Sequence, residues 1–405
     1  MPEAVIVSTA RSPIGRAGKG SLVGMRPDDL TAQMVRAALD KVPGLDPRGI
    51  DDLMVGCGQP GGEAGFNLAR VVAVELGYDF LPGVTVNRYC SSSLQTTRMA
   101  FHAIRAGEGQ AFISAGVETV SRFPRGTSDG WPDSHNPLFA EAEARTAAAA
   151  AGAGSWHDPR EDGQLPDIYI AMGQTAENVA LFTGISREDQ DRWGVRSQNR
   201  AEEAIENGFF AREIAPVTLP DGTVVASDDG PRAGTSYEKV SQLQPVFRPD
   251  GTVTAGNACP LNDGAAAVIV TSDARARELG LTPLARIVAT GVSGLSPEIM
   301  GLGPVEAIRK ALGYAKMSIS DIDLFEINEA FAVQVLGSAR ELGIDEDKLN
   351  ISGGAIALGH PFGMTGARIT ATLLNNLATQ DKTFGVESMC VGGGQGMAMI
   401  VERLS

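Results

Sequence analysis

The sequence lacks any segment that would carry it into or across a membrane. Met1 to Ala10 have neither a basic start nor a long apolar stretch, and no run approaches the roughly eighteen apolar residues of a span. A cytoplasmic protein is the expectation. Positive charge is scarce as well: the formal net charge is −15 and no Lys/Arg cluster occurs, which argues against nucleic-acid binding, since phosphates must be neutralised along a face. The four cysteines, Cys57, Cys90, Cys259 and Cys390, are too few and scattered for a disulfide framework. None stands at metal-ligand spacing from a histidine or another cysteine, so no metal is expected. Free thiols remain, and a buried free cysteine is ordinarily a small core residue.

What is present is enough chain for a large core. At 405 residues it can bury roughly three quarters of its unfolded surface and form two or three domains. Ala4 to Ala10 is a continuous β-prone run of the kind covered on both faces, and Leu284 to Thr290 reads the same way. The parallels continue in order. Gly49 to Val55 resembles Ile319 to Phe325, each after an apparent helix (Asp28 to Leu39, Pro304 to Leu312), and Ala111 to Gly116 parallels Gly385 to Cys390. An offset of roughly 270 to 280 residues is far too long for a solenoid and predicts a duplicated α/β unit of layered sheets and helices. The two halves would face one another across the active site.

Residues 1–120 with 261–282 are assigned to the first half and 283–405 to the second. Between them, 121–260 reads as an excursion that serves binding, with one amphipathic helix from Arg187 to Asn207 whose polar side carries Glu188, Arg192, Arg196 and Arg200. Its alanine-rich stretch Phe139 to Gly154 predicts a short helix with a loose end.

Two junctions carry the chemistry. Cys90 follows the apolar run ending at Val86 and precedes the helical pattern Leu94 to Ala106. A thiol at a helix N-terminus is drawn toward thiolate by the dipole, so Cys90 is the candidate nucleophile. His360 occupies the matching place in the second half, between Gly353, Gly354, Gly359 and Pro361, before a helix opening at Phe362 to Arg368. It suits a base or an oxyanion donor. His102 falls mid-helix, while His135 and His157 fall in the polar excursion, where a solvated role is expected. Asn328 arrives at the end of the apolar run Ile322 to Ile327, where polar residues usually face a site, with helix capping as the alternative. A second glycine run, Gly392 to Gly394, opens after Cys390. Together these suggest cysteine chemistry on a polyanionic substrate.

At these residues the chain resembles the thiolases, the family of 3-ketoacyl-CoA thiolases and acetyl-CoA acetyltransferases. Asn87 to Gln95, Met172 to Ala180, Gly251 to Ala258, Asn328 to Ala332, Asn350 to Arg368 and Cys390 to Ala398 all match its motifs in family order. The resemblance implies the thiolase fold: two duplicated βαβαβαββ halves in five αβαβα layers, with a loop domain over the pocket. It also implies roles. Cys90 would attack the 3-keto carbon with help from His360, and His360 and an Asn328-held water would stabilise the enolate. Cys390 would protonate it and later deprotonate CoA. The acyl-enzyme oxygen would face the N–H groups of Cys90 and Gly392, and glycines after Cys390 would let backbone come close. No metal or redox cofactor is implied, because coenzyme A is a substrate.

For CoA, the family pattern points to Arg232, Phe247, Ala255, Cys259, Met172, Met300, Ala330 and Phe331. Ordinary core alanines would read the same at Ala255 and Ala330. Ser93 stands where a glycine is common, and Cys259 where a serine commonly touches CoA. Ala171 replaces a histidine usual in short-chain acetoacetyl-CoA thiolases, which favours a degradative enzyme of β-oxidation type. A short-chain acetyltransferase, a ketoacyl synthase and a non-catalytic acyl-CoA-binding subunit are the competing readings. Homodimers or homotetramers are implied by the resemblance, with association to a hydratase/dehydrogenase open.

Overall fold

The computed structural model describes residues 2–126, 131–152 and 156–405. In the first half the chain runs β1 (Ala4–Arg11), α1 (Pro27–Asp40), β2 (Asp52–Cys57), α2 (Leu68–Glu75), β3 (Gly83–Val86), α3 (Ser92–Ala106) and β4 (Ala111–Thr119), and later returns as β5 (Asn262–Ser272). Local chemistry agrees with these limits. Pro27 opens α1 with Asp28 and Asp29 in its first turn, where the dipole favours acids, and Gly107 closes α3 at φ 81°. The second half repeats the order: β6 (Ala285–Gly294), α4 (Gly303–Ala315), β7 (Leu324–Ile327), α5 (Ala332–Leu342), α6 (Thr365–Thr379), β8 (Phe384–Val391) and β9 (Gln395–Arg403).

The pairing shows the duplication strand by strand. β2 lies parallel to both β3 and β4, β4 is antiparallel to β5, and β5 is antiparallel to β1. Likewise β7 is parallel to β8, which is antiparallel to β9, which is antiparallel to β6. The one truncation is at the counterpart of β3, where Leu349 alone bridges Phe325 in parallel. Val5↔Arg286 and Ile6↔Ala285 join β1 to β6, so the halves share one sheet in the order β7-β8-β9-β6-β1-β5-β4-β2-β3.

Alternation along the strands separates the layers. Ala4 and Ile6 of β1, Val268 and Val270 of β5, and Met397, Met399 and Val401 of β9 face a central cluster with α3 and α6. Val5 and Val7 turn the other way, onto α1 and α2. Ala398 and Ile400 turn onto α4 and α5. Helix, sheet, helix, sheet, helix gives five layers, with α3 and α6 in the middle. Those two helices approach closely: a Cβ on Gly366 would stand 2.3 Å from the Leu94 nitrogen, and the Ala367 N–H donates to Ser93 Oγ at 2.9 Å.

The excursion between β4 and β5 is tied down by charge. Fully buried Arg11 pairs with Asp228 at 2.8 Å and Glu213 at 3.2 Å. Its amphipathic helix runs Arg187–Glu206, but the polar side differs from the expected one. Arg192 is exposed and stacks over Tyr237, whereas Arg196 and Arg200 are half-buried and donate to Leu349 O at 3.4 and 3.0 Å. They bind the excursion to the second half rather than to water. The alanine-rich helix spans Ala140–Ala150; Ala153 and Gly154, at its expected loose end, lie outside the described residues.

Candidate active site

Cys90 sits in a single helical turn, Tyr89–Ser91, between β3 and α3. Tyr89 adopts φ 41°, a left-handed conformation costly for an aromatic residue. The surroundings hold it there: the Tyr89 N–H donates to Asn87 Oδ1 at 2.8 Å, and Ser92 Oγ accepts from the Arg88 N–H and donates to Tyr89 O. The result turns the Cys90 thiol toward two backbone N–H groups, its own and that of Gly392. Both favour the thiolate, yet burial outweighs them and pushes the thiol up to about 11. The sequence expectation of a lowered pKa is thus corrected. A helix terminus helps a thiolate, but here the second half removes the water that would solvate it.

His360 is aimed from both sides. Gly359 has φ 115°, and a Cβ there would meet the Asn262 amide at 2.6 Å; that amide's Oδ1 accepts from the His360 N–H at 3.0 Å. Thr365 Oγ1 lies 2.6 Å from His360 Nδ1 and donates its own proton to Pro361 O at 2.8 Å. The threonine oxygen must therefore accept from Nδ1–H, which leaves Nε2 as the bare nitrogen. Nε2 is buried with no hydrogen-bond partner among the described residues. Burial and the positive field of Arg368 pull this imidazole down to about 3.

Asn328 extends β7, its N–H donating to Ser388 O at 2.9 Å. Both side-chain polar atoms are buried and unpartnered among the described residues, so the capping reading is not the one the structure bears. Cys390 lies in β8 and is fully buried. Burial pushes its thiol up, and the nearby thiols of Cys90 and Cys259 add to the shift. Three thiols therefore converge. Buried polar atoms without partners among the described residues, such as those of Asn328 and His360, are what a group awaiting a polar ligand presents.

Two buried carboxylates, not anticipated from the sequence, brace these groups. Glu118, at the end of β4, accepts from the N–H groups of Gly58, Gln59 and Gly363, so one side chain ties the first half to the turn after His360. Burial pushes Glu118 up to about 7. Glu329 accepts from Trp193 Nε1 (3.1 Å), Ser197 Oγ (2.6 Å), Asn350 Nδ2 (3.0 Å) and the Ile356 N–H (3.1 Å). An acid inside an otherwise apolar strand, as in Phe112 to Glu118, is the signal that could have found the first.

A cavity of about 330 Å³ opens over Cys90 and Gly392, walled by Tyr89, Met172, Phe362 and Tyr169 among others. Ala171 lines it, and so does His135, whose side chain is 48% exposed, in line with the solvated role expected for it. His135 stacks on Tyr169 at 3.9 Å and 6° and bonds Glu143 through Nδ1. His157 also remains at the surface, paired with Asp162. The glycine run needs a correction. A Cβ on Gly392 would stand 3.5 Å from Tyr89, an ordinary contact; the steric demand falls on Gly393 (φ 76°) and on Gly394 (φ 77°), where a Cβ would meet Leu295 O at 2.3 Å.

The residues expected at CoA separate into groups. Met172 is on the cavity wall. Phe247 and Phe331 meet edge-on at 6.2 Å, Ala258 bridges Phe331, and the Cys259 N–H donates to Ala330 O, so Phe247, Cys259, Ala330 and Phe331 form one surface. Met300 lies behind it, fully buried in the same apolar cluster. Ala255 is exposed, Ala330 buried. Arg232 is exposed and apart from them, its backbone N–H held by Gln198.

Comparison with known proteins agrees with this geometry. The thiolase N-terminal domain matches residues 4–274 and the thiolase C-terminal domain residues 281–403. A 3-ketoacyl-CoA thiolase of Bacillus subtilis is 42% identical, over 99% of this chain and 100% of its own. A beta-ketoadipyl-CoA thiolase of Acinetobacter baylyi is 41% identical over 100% of both. The crystal structure of the dimeric peroxisomal thiolase of Saccharomyces cerevisiae superposes with a TM-score of 0.88 at 36% identity, covering 99% of this chain and 97% of that one. With both domains matched in order over a duplicated five-layer fold, the chain belongs to the thiolase family and is an acyltransferase.

Proposed function

We propose that the protein cleaves 3-ketoacyl-CoA with coenzyme A, giving acetyl-CoA and an acyl-CoA two carbons shorter, through an acyl group carried on Cys90. The observation that carries this reading is the Cys90 thiol at the cavity floor, faced by its own N–H and that of Gly392, with the Cys390 thiol beside it. Those two N–H groups are the natural donors to the oxygen of a thioester on Cys90. With thiol and imidazole both neutral at rest, nucleophile formation and proton transfer are coupled: substrate binding brings the carbonyl that accepts charge while His360 takes the proton.

His360 Nε2 and the Asn328 amide, buried without partners among the described residues, then serve the enolate oxygen released when the carbon–carbon bond breaks, His360 as the donor of the proton it holds and Asn328 through a water. Cys390 supplies the proton to the enolate carbon, and as thiolate it deprotonates the incoming CoA. The surface of Phe247, Ala330 and Phe331, with Cys259 at its edge, receives pantetheine, and Arg232 the phosphates. The same steps run in reverse as a Claisen condensation.

Ala171 on the cavity wall leaves space that a histidine would fill, which supports chains longer than acetoacetyl and a degradative role. Both relatives' names, 3-ketoacyl-CoA thiolase and beta-ketoadipyl-CoA thiolase, agree with this. The dimeric yeast structure supports a homodimer here. The test is thiolysis of acetoacetyl-CoA and a longer 3-ketoacyl-CoA, with Cys90→Ala as comparison. Removal of a covalent nucleophile should cost about a thousandfold or more; full activity in that variant would refute the assignment, and no turnover by the wild type would favour a non-catalytic subunit.

A further inference from the structure

Four consecutive residues, Ile168, Tyr169, Ile170 and Ala171, make one wall of the cavity over Cys90. They belong to no strand or helix, so no backbone ladder of their own fixes where they stand. Their place bears on the reacting end of the cavity: a Cβ on Gly393 would lie 3.6 Å from Ile168 Cδ1, so the wall rests against the glycine run after Cys390. An irregular segment in such a position needs restraints from outside.

The restraints come from Glu298, in the second half of the fold. Glu298 belongs to the short helical stretch Pro297–Leu302 that leads into α4 and is 6% exposed. Its Oε1 accepts from the Asp167 N–H at 2.9 Å, immediately before the wall, and its Oε2 from Trp156 Nε1 at 2.7 Å. Asp167 is buried and passes the restraint inward, its Oδ1 accepting from the Tyr169 N–H at 2.9 Å. After the wall comes the helix Met172–Thr183, whose Asn178 donates through Nδ2 to Glu298 O at 2.9 Å. Residues 168–171 are therefore anchored on both sides to one residue. A buried N–H such as that of Asp167 must keep an acceptor or reach water, so removing the Glu298 side chain releases the wall rather than leaving it in place.

We propose that Glu298 is a positioning residue for acyl-chain selection: through Asp167 it fixes the wall of residues 168–171, and that fixed wall gives a longer 3-ketoacyl tail its advantage over acetoacetyl. The proposal rests on the thiolysis assigned to Cys90 and deepens it by naming what sets the chain-length preference of that site. An apolar wall contributes only where it stays against the tail and keeps water out, and each methylene so buried is worth roughly fourfold in affinity. The partners of Glu298, which are Trp156, Asp167 and Asn178, are not the groups that make or break bonds, so the effect falls on binding of the tail.

The test is thiolysis of 3-oxooctanoyl-CoA and acetoacetyl-CoA by wild type, Glu298→Ala, Glu298→Gln and Asp167→Ala. The wild type should show the lower KM for 3-oxooctanoyl-CoA. Glu298→Ala should raise that KM by about tenfold or more, the loss of roughly two buried methylenes, with kcat and the acetoacetyl-CoA values within about threefold of wild type. In Glu298→Gln the amide oxygen serves the buried Asp167 N–H, and the amide NH2 turns to the Trp156 indole, which is half-buried and can swing outward. The 3-oxooctanoyl-CoA KM of that variant should lie within about threefold of wild type. Asp167→Ala, which cuts the link to Tyr169, should repeat the selective loss, and it decides the matter if Glu298→Ala does not fold. Equal losses on both substrates, a Gln variant as impaired as the Ala variant, or a wild-type KM no lower for the longer substrate would overturn the proposal. Acetoacetyl-CoA turnover by the wild type reports on Cys90 separately. If the wild type turns over neither substrate, the thiolysis reading fails on its own, and calorimetric binding of octanoyl-CoA against acetyl-CoA in the same variants tests the wall, with the same selective loss expected in Glu298→Ala.

Discussion

Replacing Glu329 should show how firmly one carboxylate holds the loop that delivers His360. Its four donors divide evenly: Oε1 accepts from the Trp193 indole and the Asn350 amide, Oε2 from Ser197 Oγ and the Ile356 N–H. Asn350 cannot turn over to help, because its amide is already committed to both Ile327 N–H and Ile327 O. In Glu329→Gln, an NH2 on the Oε1 side would oppose two fixed donors. On the Oε2 side it opposes only the Ile356 N–H, since the serine hydroxyl can rotate. The second arrangement wins and leaves one frustrated buried N–H, a loss of about 1–3 kcal/mol. Glu329→Ala strands the indole, the amide and the Ile356 N–H together, so the loss should be at least about 3 kcal/mol. Urea denaturation measures both, and amide exchange locates the effect: Ile356 should exchange faster in the Gln variant while Val268 in the central layer does not change. A Gln variant within about 0.5 kcal/mol of wild type, or an Ala variant no worse than Gln, would refute the reasoning.

Three further outcomes follow. Glu387 is fully buried and, among the described residues, only its Oε1 is bonded, to Thr370; burial pushes it up to about 8. The folded state thus keeps a proton that the unfolded chain releases above its ordinary carboxylate range. Stability from this group is present at low pH and falls by about 1.4 kcal/mol per pH unit up to pH 8, so the stability difference should move in favour of Glu387→Gln across that window and level off above it. With the Cys90 thiol near 11, alkylation by iodoacetamide in the free enzyme should keep climbing with pH through 9, and a plateau already reached at pH 7 would contradict a neutral resting thiol. Thr365→Val removes the acceptor that sets the His360 tautomer; kcat should drop about 10- to 100-fold with little change in KM, and Thr365→Ser should restore it.

The duplication was legible because both halves spell their central strands as apolar runs, and because Cys90 and His360 stand at equivalent junctions. Other features required the neighbours that only folding supplies. Burial within the folded chain outweighs the N–H groups of Cys90 and Gly392 and raises the Cys90 thiol, so a reading confined to its own helix inverted the pKa shift. Arg196 and Arg200 follow a helical polar pattern, yet Leu349 meets that face, turning part of the polar side into an internal tie. Nothing local to His135 predicts its stacking on Tyr169 or its contact with Glu143. Gly392 looked like a steric necessity within a glycine run, whereas backbone conformation places that necessity on the two residues after it.

The position of β1 bears on how the chain is made. It precedes its partners in the chain and is the central strand in the sheet, but the partners of Ala4 and Val5 are Ser272 and Arg286, both from the later part of the chain. Until those strands form, the eight-residue segment Ala4–Arg11, apolar from Ala4 to Val7, has both edges unsatisfied, the profile of an aggregation-prone nascent chain. Folding must therefore close its longest loops last, which makes it slow for its size and gives a holding chaperone a defined segment to shield during synthesis.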